Sequence, residues 1–249
     1  MNKLYITILS LVMGILPCFA QEEIQTHKVK VGDFTTLKVC DHINVVYSTN
    51  PDSLGYAQFK APVSLVNSVL FENNGKGTLA VRIETDDKDV SKLPTIYVYS
   101  RFLYEARNEA DGTLKIMNCS PVSEIKLETL ANGKLIANGI DATKLSAAIS
   151  TGKGLIIAKG KSDNANYKLI GTGEIQADEL ITGDVQCKLL GTGTIGCNVN
   201  GILKIKGSGT GKVYYTGKPT KIKKSTLGPI KAISLDNPED NEASEEDKK

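Results

Sequence analysis

Apolar residues in this chain keep two periods at once. Over a few residues they alternate with polar ones, as in Thr36-Leu37-Lys38-Val39, Thr78-Leu79-Ala80-Val81-Arg82-Ile83 and Thr95-Ile96-Tyr97-Val98-Tyr99. Such segments predict strands with one buried face. Over longer distances a phrase returns, a glycine followed two places later by an aliphatic residue: Gly112-Thr-Leu114, Gly133-Lys-Leu135, Gly154-Leu-Ile156, Gly173-Glu-Ile175, Gly193-Thr-Ile195 and Gly211-Lys-Val213. The last two copies stand slightly closer together than the rest. Self-similarity at about 20 residues, in segments rich in glycine and β-branched residues, predicts stacked β-coils and hence an all-β solenoid. Strands this short hold no structure alone, so their backbone hydrogen bonds must run to the coils on either side.

The two halves differ. Before residue 111 the alternation is plain but the repeat is not, with turn-rich pieces at Ser48–Ser53, Asn73–Gly77 and Thr85–Asp89, and Pro62–Phe71 the one stretch suited to a short helix. Gly77-Thr78-Leu79 already matches the later phrase. From residue 111 the pattern is regular: Lys168-Leu-Ile170 leads into Gly171-Thr-Gly173, and Lys188-Leu-Leu190 into Gly191-Thr-Gly193. Lys204-Ile-Lys206 then leads into Gly207-Ser-Gly209, after a shorter interval than the one before it. Gly171, Gly173, Gly191, Gly193, Gly207, Gly209 and Gly211 are expected at structural turns, where a Cβ would be unwelcome. After Tyr215 the pattern fades into lysines and Pro219, residues that discourage an open sheet edge from pairing.

The N-terminus adds an address. Lys3, the apolar run Leu4–Leu16 and Pro17-Cys-Phe-Ala-Gln21 read as a secretory signal cleaved after Ala20. Lipid anchoring at Cys18 is the alternative and fits less well, because Pro17 stands where such processing prefers a small residue. The run is short for a membrane span, so no transmembrane span is expected after cleavage. The expected organisation is a signal peptide over 1–20, a single β-solenoid domain over 21–235 with irregular coils to 110 and regular ones from 111, and a disordered acidic tail over 236–249. The product would be exported, to the periplasm or the cell surface.

Charge and cysteines change the picture only a little. The net charge is +2, but the tail holds seven acids against two lysines and the leader one lysine, leaving the body at 2 + 5 − 1 = +6. That excess, without a recognition motif, gives no reason to expect a nucleic-acid partner. Cys40, Cys119, Cys187 and Cys197 remain after cleavage. Cys187 and Cys197 lie about half a coil apart, on different walls and too far apart to bridge, and are expected as small buried apolar residues. Trp is absent and Phe and Tyr number 5 and 9, which thins the material for sugar stacking.

The leader, the alternating segments Phe34-Thr-Thr-Leu-Lys-Val39 and His42-Ile-Asn-Val-Val46, the Leu79-Ala-Val-Arg-Ile83 strand and the ladder of Gly-Thr-Gly phrases together resemble the putative auto-transporter adhesin, head GIN domain family, common in Bacteroidetes. The resemblance runs from about Phe34 to Thr216. Its repeated phrase of glycine, small hydroxyl, glycine, acid and aliphatic is met in full at Gly171-Thr-Gly-Glu-Ile175, and departs at Thr194, Lys212 and Glu109-Ala-Asp-Gly112. The resemblance implies a right-handed parallel β-helix-like fold at the cell envelope and brings no functional residues with it.

Chemistry is sparse. A glycosidase needs two facing carboxylates, yet Glu174, Asp178, Glu179 and Asp184 fall mostly at corners, and Arg82, Arg101, Arg107, His27 and His42 lie outside the clear repeat. His42 is expected at the start of a strand. No catalytic residue, metal site or cofactor is expected. Lys168, Lys188 and Lys204 hold the same place in successive phrases and would form a basic row, with Lys126 and Lys144 as earlier rungs. Such a row could bind an anionic glycan; a solvated lysine ladder that keeps the protein soluble is the simpler reading. The reading is an exported, non-enzymatic β-solenoid that acts as an adhesin or envelope surface-binding module, with glycan or protein partners. The alternatives are a polysaccharide-processing lyase or hydrolase, and a structural envelope protein that forms homo-oligomers through its terminal coils.

Overall fold

The computed structural model describes residues 23–84 and 93–236. The expected leader lies outside them, as does the acidic tail from residue 237. Asp236 does not belong with that tail, since its carboxylate accepts a hydrogen bond from the Gly217 amide at 2.7 Å.

The strands of the first half are β1 (Ile24–Lys30), β2 (Thr36–Val39), β3 (Val45–Ser48), β4 (Tyr56–Pro62), β5 (Val69–Asn73), β6 (Thr78–Ile83), β7 (Ile96–Tyr99), β8 (Glu105–Asn108) and β9 (Thr113–Ile116). Their order in space is not their order in sequence. The coil made by β2 and β3 is sandwiched, with β6 and β7 stacked in parallel on one side of it and β8 and β9 on the other. Beyond β6 and β7 the sheet turns antiparallel, where β1 pairs β4, β4 pairs β7 and β5 pairs β6. The stretch expected to be helical holds one turn, α1 (Val63–Val66), before β5 begins.

The second half is the regular stack: β10 (Val122–Thr129), β11 (Lys134–Ile149), β12 (Leu155–Gly171), β13 (Glu174–Gly191), β14 (Thr194–Val199), β15 (Ile202–Gly209), β16 (Lys212–Thr216), β17 (Lys221–Leu227) and β18 (Lys231–Ser234). Every pairing here is parallel. The long strands β11, β12 and β13 each cross two walls, with the register breaking at the bend near Ile140, Gly160 and Ile181. The described strands form one continuous sheet, a β-solenoid as the repeat implied. It also runs further than the repeat does. β17 and β18 make a further coil, in which Ile230, fully buried, stands where the earlier coils carry glycine.

Alternation along each strand sends one side chain in two to a dry interior. Leu114, Leu135, Ile156, Ile175, Ile195 and Val213 stack in one inward column and Leu127, Ala147, Tyr167, Cys187 and Ile205 in another, all at most 1% exposed. Each such burial contributes roughly 1.5–3 kcal/mol. The bulk of Tyr167 fits between the small side chains of Ala147 and Cys187 in neighbouring coils. Cys187 and Cys197 lie on different walls and are unbridged, and a hydrogen bond with Cys197 first, and burial second, drive the Cys187 pKa well up. Both are free and fully buried.

Two buried phenols couple stability to alkali. Burial raises the Tyr47 pKa to about 12, although its hydroxyl donates to the Ser100 carbonyl at 3.0 Å, and burial raises Tyr167 well above its ordinary value. A folded pKa above the unfolded one of about 10 means that the contribution is intact below about pH 10 and fades as pH rises toward 12. Melting scans between pH 8 and 12 should therefore show stability falling from pH 10 upward. Tyr47→Phe/Tyr167→Phe should flatten that fall, and an equally steep fall in the double variant would refute the assignment.

Candidate ligand-binding wall

One wall runs through β8, β10, the second parts of β11, β12 and β13, then β15 and β17. Its inward residues fill the core, so the intervening side chains must face solvent, and parallel register stacks them in columns one strand spacing, about 4.8 Å, apart. One column reads Arg107, Glu128, Ala148, Lys168, Lys188, Lys206, Ser225. Beside it runs Glu105, Lys126, Ser146, Asn166, Gln186, Lys204, Lys223. The third passes Glu124, Lys144, Asn164 and Asp184, with Ile202 and Lys221 on the next two strands.

The expected row of Lys168, Lys188 and Lys204 is thus corrected. Lys168 and Lys188 are neighbours, but Lys206 is the third rung and Lys204 sits against Gln186 in the adjacent column. The register moves on because Gly209-Thr-Gly211, and not Gly207-Ser-Gly209, stacks on Gly191-Thr-Gly193. Gly207 stands in the Leu189 column inside the strand. Lys126 and Lys144 are not rungs of this row either, whose next position down is Ala148. Gly171, Gly191 and Gly209 stack on one another at φ of +109°, +132° and +124°. A Cβ on Gly173, Gly193 or Gly211 would come within 2.7, 2.5 and 2.5 Å of a carbonyl oxygen in the coil below.

The charge along these columns is divided. Toward the N-terminal end it is balanced: Arg107 meets Glu128 at 2.6 Å with Glu109 and Glu105 at 3.5 and 3.8 Å, and Lys144 meets Glu124 at 3.1 Å. Burial works against the Arg107 charge, but the hydrogen bond and field of Glu128, reinforced by Glu105 and Glu109, outweigh it and push the pKa up. Toward the C-terminal end the same three columns hold Lys168, Lys188, Lys204, Lys206, Lys221 and Lys223 against Asp184 alone. Asp184 is itself engaged by the Ile202 amide at 2.7 Å. Among the described residues none of these six lysines has an ion pair.

At its leading edge the wall folds over into a groove of about 760 Å³ that runs across successive coils, lined by Ser123, Asp141, Lys161, Asp163, Ile181 and Asn200 among others. Lys161 and Asp141 pair across it at 3.1 Å, and Ile181 is 60% exposed. Asn164, Asn166 and Gln186 lie between this groove and the lysines, so amides that can bind sugar hydroxyls border ammonium groups that can bind acids.

The acids singled out in the sequence fall on different faces. Glu174 opens β13 on the other wall and accepts from Gln176 at 2.9 Å, while Glu179 at the bend is held by Lys159 at 2.6 Å. Asp178 and Glu179 share a hollow of about 340 Å³ with Lys159. Among the described residues no three His, Cys, Asp or Glu side chains gather as a metal site, and no helix is long and apolar enough to cross a membrane. His42 does not begin a strand: it lies in the loop before β3, half exposed, 3.8 Å from Asp111. His27 is on β1, bonded to the Ala61 carbonyl at 2.9 Å.

Lys206, Lys221 and Lys223 were missed in the sequence. The shortened step from Gly193 to Gly211 was the signal for Lys206, and the loss of the glycine phrase at Ile230 hid the other two.

Comparison with known proteins agrees with this architecture. Residues 33–219 match the family model described as "Putative auto-transporter adhesin, head GIN domain". No curated protein matches the chain. A solved structure of a putative adhesin from Bacteroides fragilis superposes with a TM-score of 0.76 at 22% identity, covering 86% of this chain and 97% of that one. A putative lipid binding protein from Parabacteroides distasonis gives 0.68 at 20% identity over 86% and 98%, and a putative adhesin from Parabacteroides merdae 0.66 at 18% over 86% and 97%. At these identities the likeness is one of fold.

Proposed function

Because the chain belongs to the "Putative auto-transporter adhesin, head GIN domain" family, we propose that it is an exported, non-enzymatic binding module of the cell envelope that holds an anionic glycan against its basic wall. The observation that carries this reading is the division of charge within single columns. Where acids cluster, Arg107 pairs with Glu128 and Lys144 with Glu124; where they stop, lysines stack on lysines one strand apart, an arrangement that repels itself until an anion arrives. A solvated ladder needed only for solubility would gain nothing from crowding its charges at one end. The flanking amides suit the hydroxyls of a sugar chain, and a chain lying along the solenoid axis would meet one rung after another.

Self-association through the last coil is less well supported. Lys224 is in register with Ile205 but is exposed at the open end of the stack, and a charge on the column that a further coil would have to cover discourages further stacking.

The mature chain should be retained on immobilised polygalacturonate at low salt, released at high salt, and pass freely through neutral dextran. Equal retention on both, or on neither, would sink the reading. The polygalacturonate should also be recovered unshortened after prolonged incubation. Its cleavage would favour the polysaccharide-processing alternative instead.

A further inference from the structure

At the other end of the solenoid, where the sheet turns antiparallel, three strands present a flat outer face. In register, Lys28 on β1 stands beside Gln58 on β4, and Gln58 beside Tyr97 on β7. One step along each strand the face continues with Tyr56 and Tyr99 toward one side and Lys60 toward the other. Tyr56, Tyr97 and Tyr99 therefore occupy adjacent cells of one surface, in a chain with nine tyrosines in all. The aromatic residues are few, yet three of them converge here.

Between these side chains lies a cavity of about 430 Å³ whose lining includes Thr26, Gln58, Lys60, Thr95, Tyr97 and Tyr99. That volume is of the size small ligands occupy. Tyr97 is 44% exposed, so its ring is free to be covered. Among the described residues none of the three phenol hydroxyls has a hydrogen-bond partner, which leaves each able to donate and to accept. The Lys28 ammonium lies 4.3 Å from the Tyr56 ring centroid, held by a cation–π contact at the margin. No carboxylate belongs to this set of positions, whereas Lys28 and Lys60 do. The face thus offers an aromatic plate, neutral hydrogen-bonding groups and positive charge, and among the described residues at these positions none would repel an acid.

We propose that this cavity binds a uronic acid residue, as a free sugar or at the end of a glycan. The pyranose ring stacks on Tyr97, its hydroxyls bond Gln58 and Tyr99, and its carboxylate meets Lys60. Apolar ring faces edged with hydroxyls match tyrosine in the way that an amphipathic side chain matches an amphipathic ligand. A protein partner would call for a larger, drier patch than one ring at this exposure provides. The site shares no residue with the basic wall, so the two can fail separately.

The test is saturation-transfer NMR on the mature chain, with galacturonic acid as probe and methyl α-glucopyranoside as the neutral control. Galacturonate ring protons should receive saturation. Tyr97→Ala should weaken binding about tenfold, while Tyr97→Phe, which keeps the ring, should stay within about twofold of the parent. Lys60→Gln should bring galacturonate down to the level of the neutral sugar. Because Tyr97 and Lys60 are outward-facing, unchanged melting curves will show that the variants fold. Absence of saturation transfer to galacturonate, or a Tyr97→Ala variant that binds as the parent does, overturns the proposal. Galacturonate binding that survives Lys168→Gln/Lys188→Gln/Lys206→Gln supports a separate site, and its loss in that triple variant refutes one.

Discussion

Gly207→Ala should be among the most damaging single substitutions in the chain. Gly207 lies in β15 at φ +151°, directly over Leu189 of β13, and a Cβ there would be 1.8 Å from the Leu189 carbonyl oxygen and 2.8 Å from its carbon. Both atoms are backbone in a hydrogen-bonded strand, so no rotamer change can relieve the clash and the two coils must separate. Lost pairing between β13 and β15 also removes the support for β17, which pairs with β15. A cost above about 4 kcal/mol is expected, the range reached when backbone geometry is broken, and it corresponds to a melting temperature lower by about 10 °C or more. In a solenoid the damage should begin locally. Hydrogen exchange should show β15–β18 opening first while β11 and β12 stay protected. Gly75→Ala, with nothing within 4 Å of the added atom, is the control and should cost far less despite its own φ of +69°. If Gly207→Ala melts no lower than Gly75→Ala, the close stacking described at this rung is wrong.

Asn108→Ala should be nearly as costly, for a different reason. Asn108 ends β8 with its side chain inside the solenoid, fully buried, in the column that continues through Thr129 and Ile149. Its amide nitrogen donates to the Gly112 carbonyl at 2.7 Å and to the Lys134 carbonyl at 3.1 Å, and its oxygen accepts from the Ala110 amide at 3.3 Å. One side chain thereby closes the turn between β8 and β9 and ties it to the coil above. Truncation would leave these backbone groups unsatisfied away from water, at about 1–3 kcal/mol for each group left bare. The expected loss is about 3 kcal/mol, measured by denaturant unfolding. Asn108→Asp should not rescue it, since a carboxylate would face the two carbonyls. A loss below about 1 kcal/mol would mean that water or a shifted turn takes over the role.

These two residues mark where the sequence was legible and where it was not. The recurring glycines from Gly112 to Gly211 sit in one register because the residue after each of them, Thr113, Lys134, Leu155, Glu174, Thr194 and Lys212, forms an unbroken ladder. A period visible in sequence was a period in space, since each coil there follows its predecessor. In the first half that link breaks. Thr36 is paired to Thr78 on one side and to the far more distant Glu105 on the other, because the β6–β7 coil is stacked outside β2 and β3. No fixed spacing can report such threading. Gly207 exposed a subtler limit: Gly207-Ser-Gly209-Thr-Gly211 contains two overlapping copies of the phrase, and only packing against Leu189 decides which copy forms the corner. The third rung of the basic row moved from Lys204 to Lys206 for that reason alone. Asn108 carries no signal in sequence, because nothing distinguishes a buried amide that closes a turn from one in solvent.

The claim on which the functional reading stands is that uncompensated charge at the C-terminal end of one wall, and not the chain's overall basicity, binds the anion. Titrating polygalacturonate into Lys168→Gln/Lys188→Gln/Lys206→Gln and into a control with the same number of exposed lysines removed away from this wall, Lys76→Gln/Lys134→Gln/Lys153→Gln, measures this directly, because net charge falls equally in both. The account predicts a loss of about tenfold or more in the first and less than about threefold in the second. Equal losses in the two triple variants, or none in the first, would contradict it.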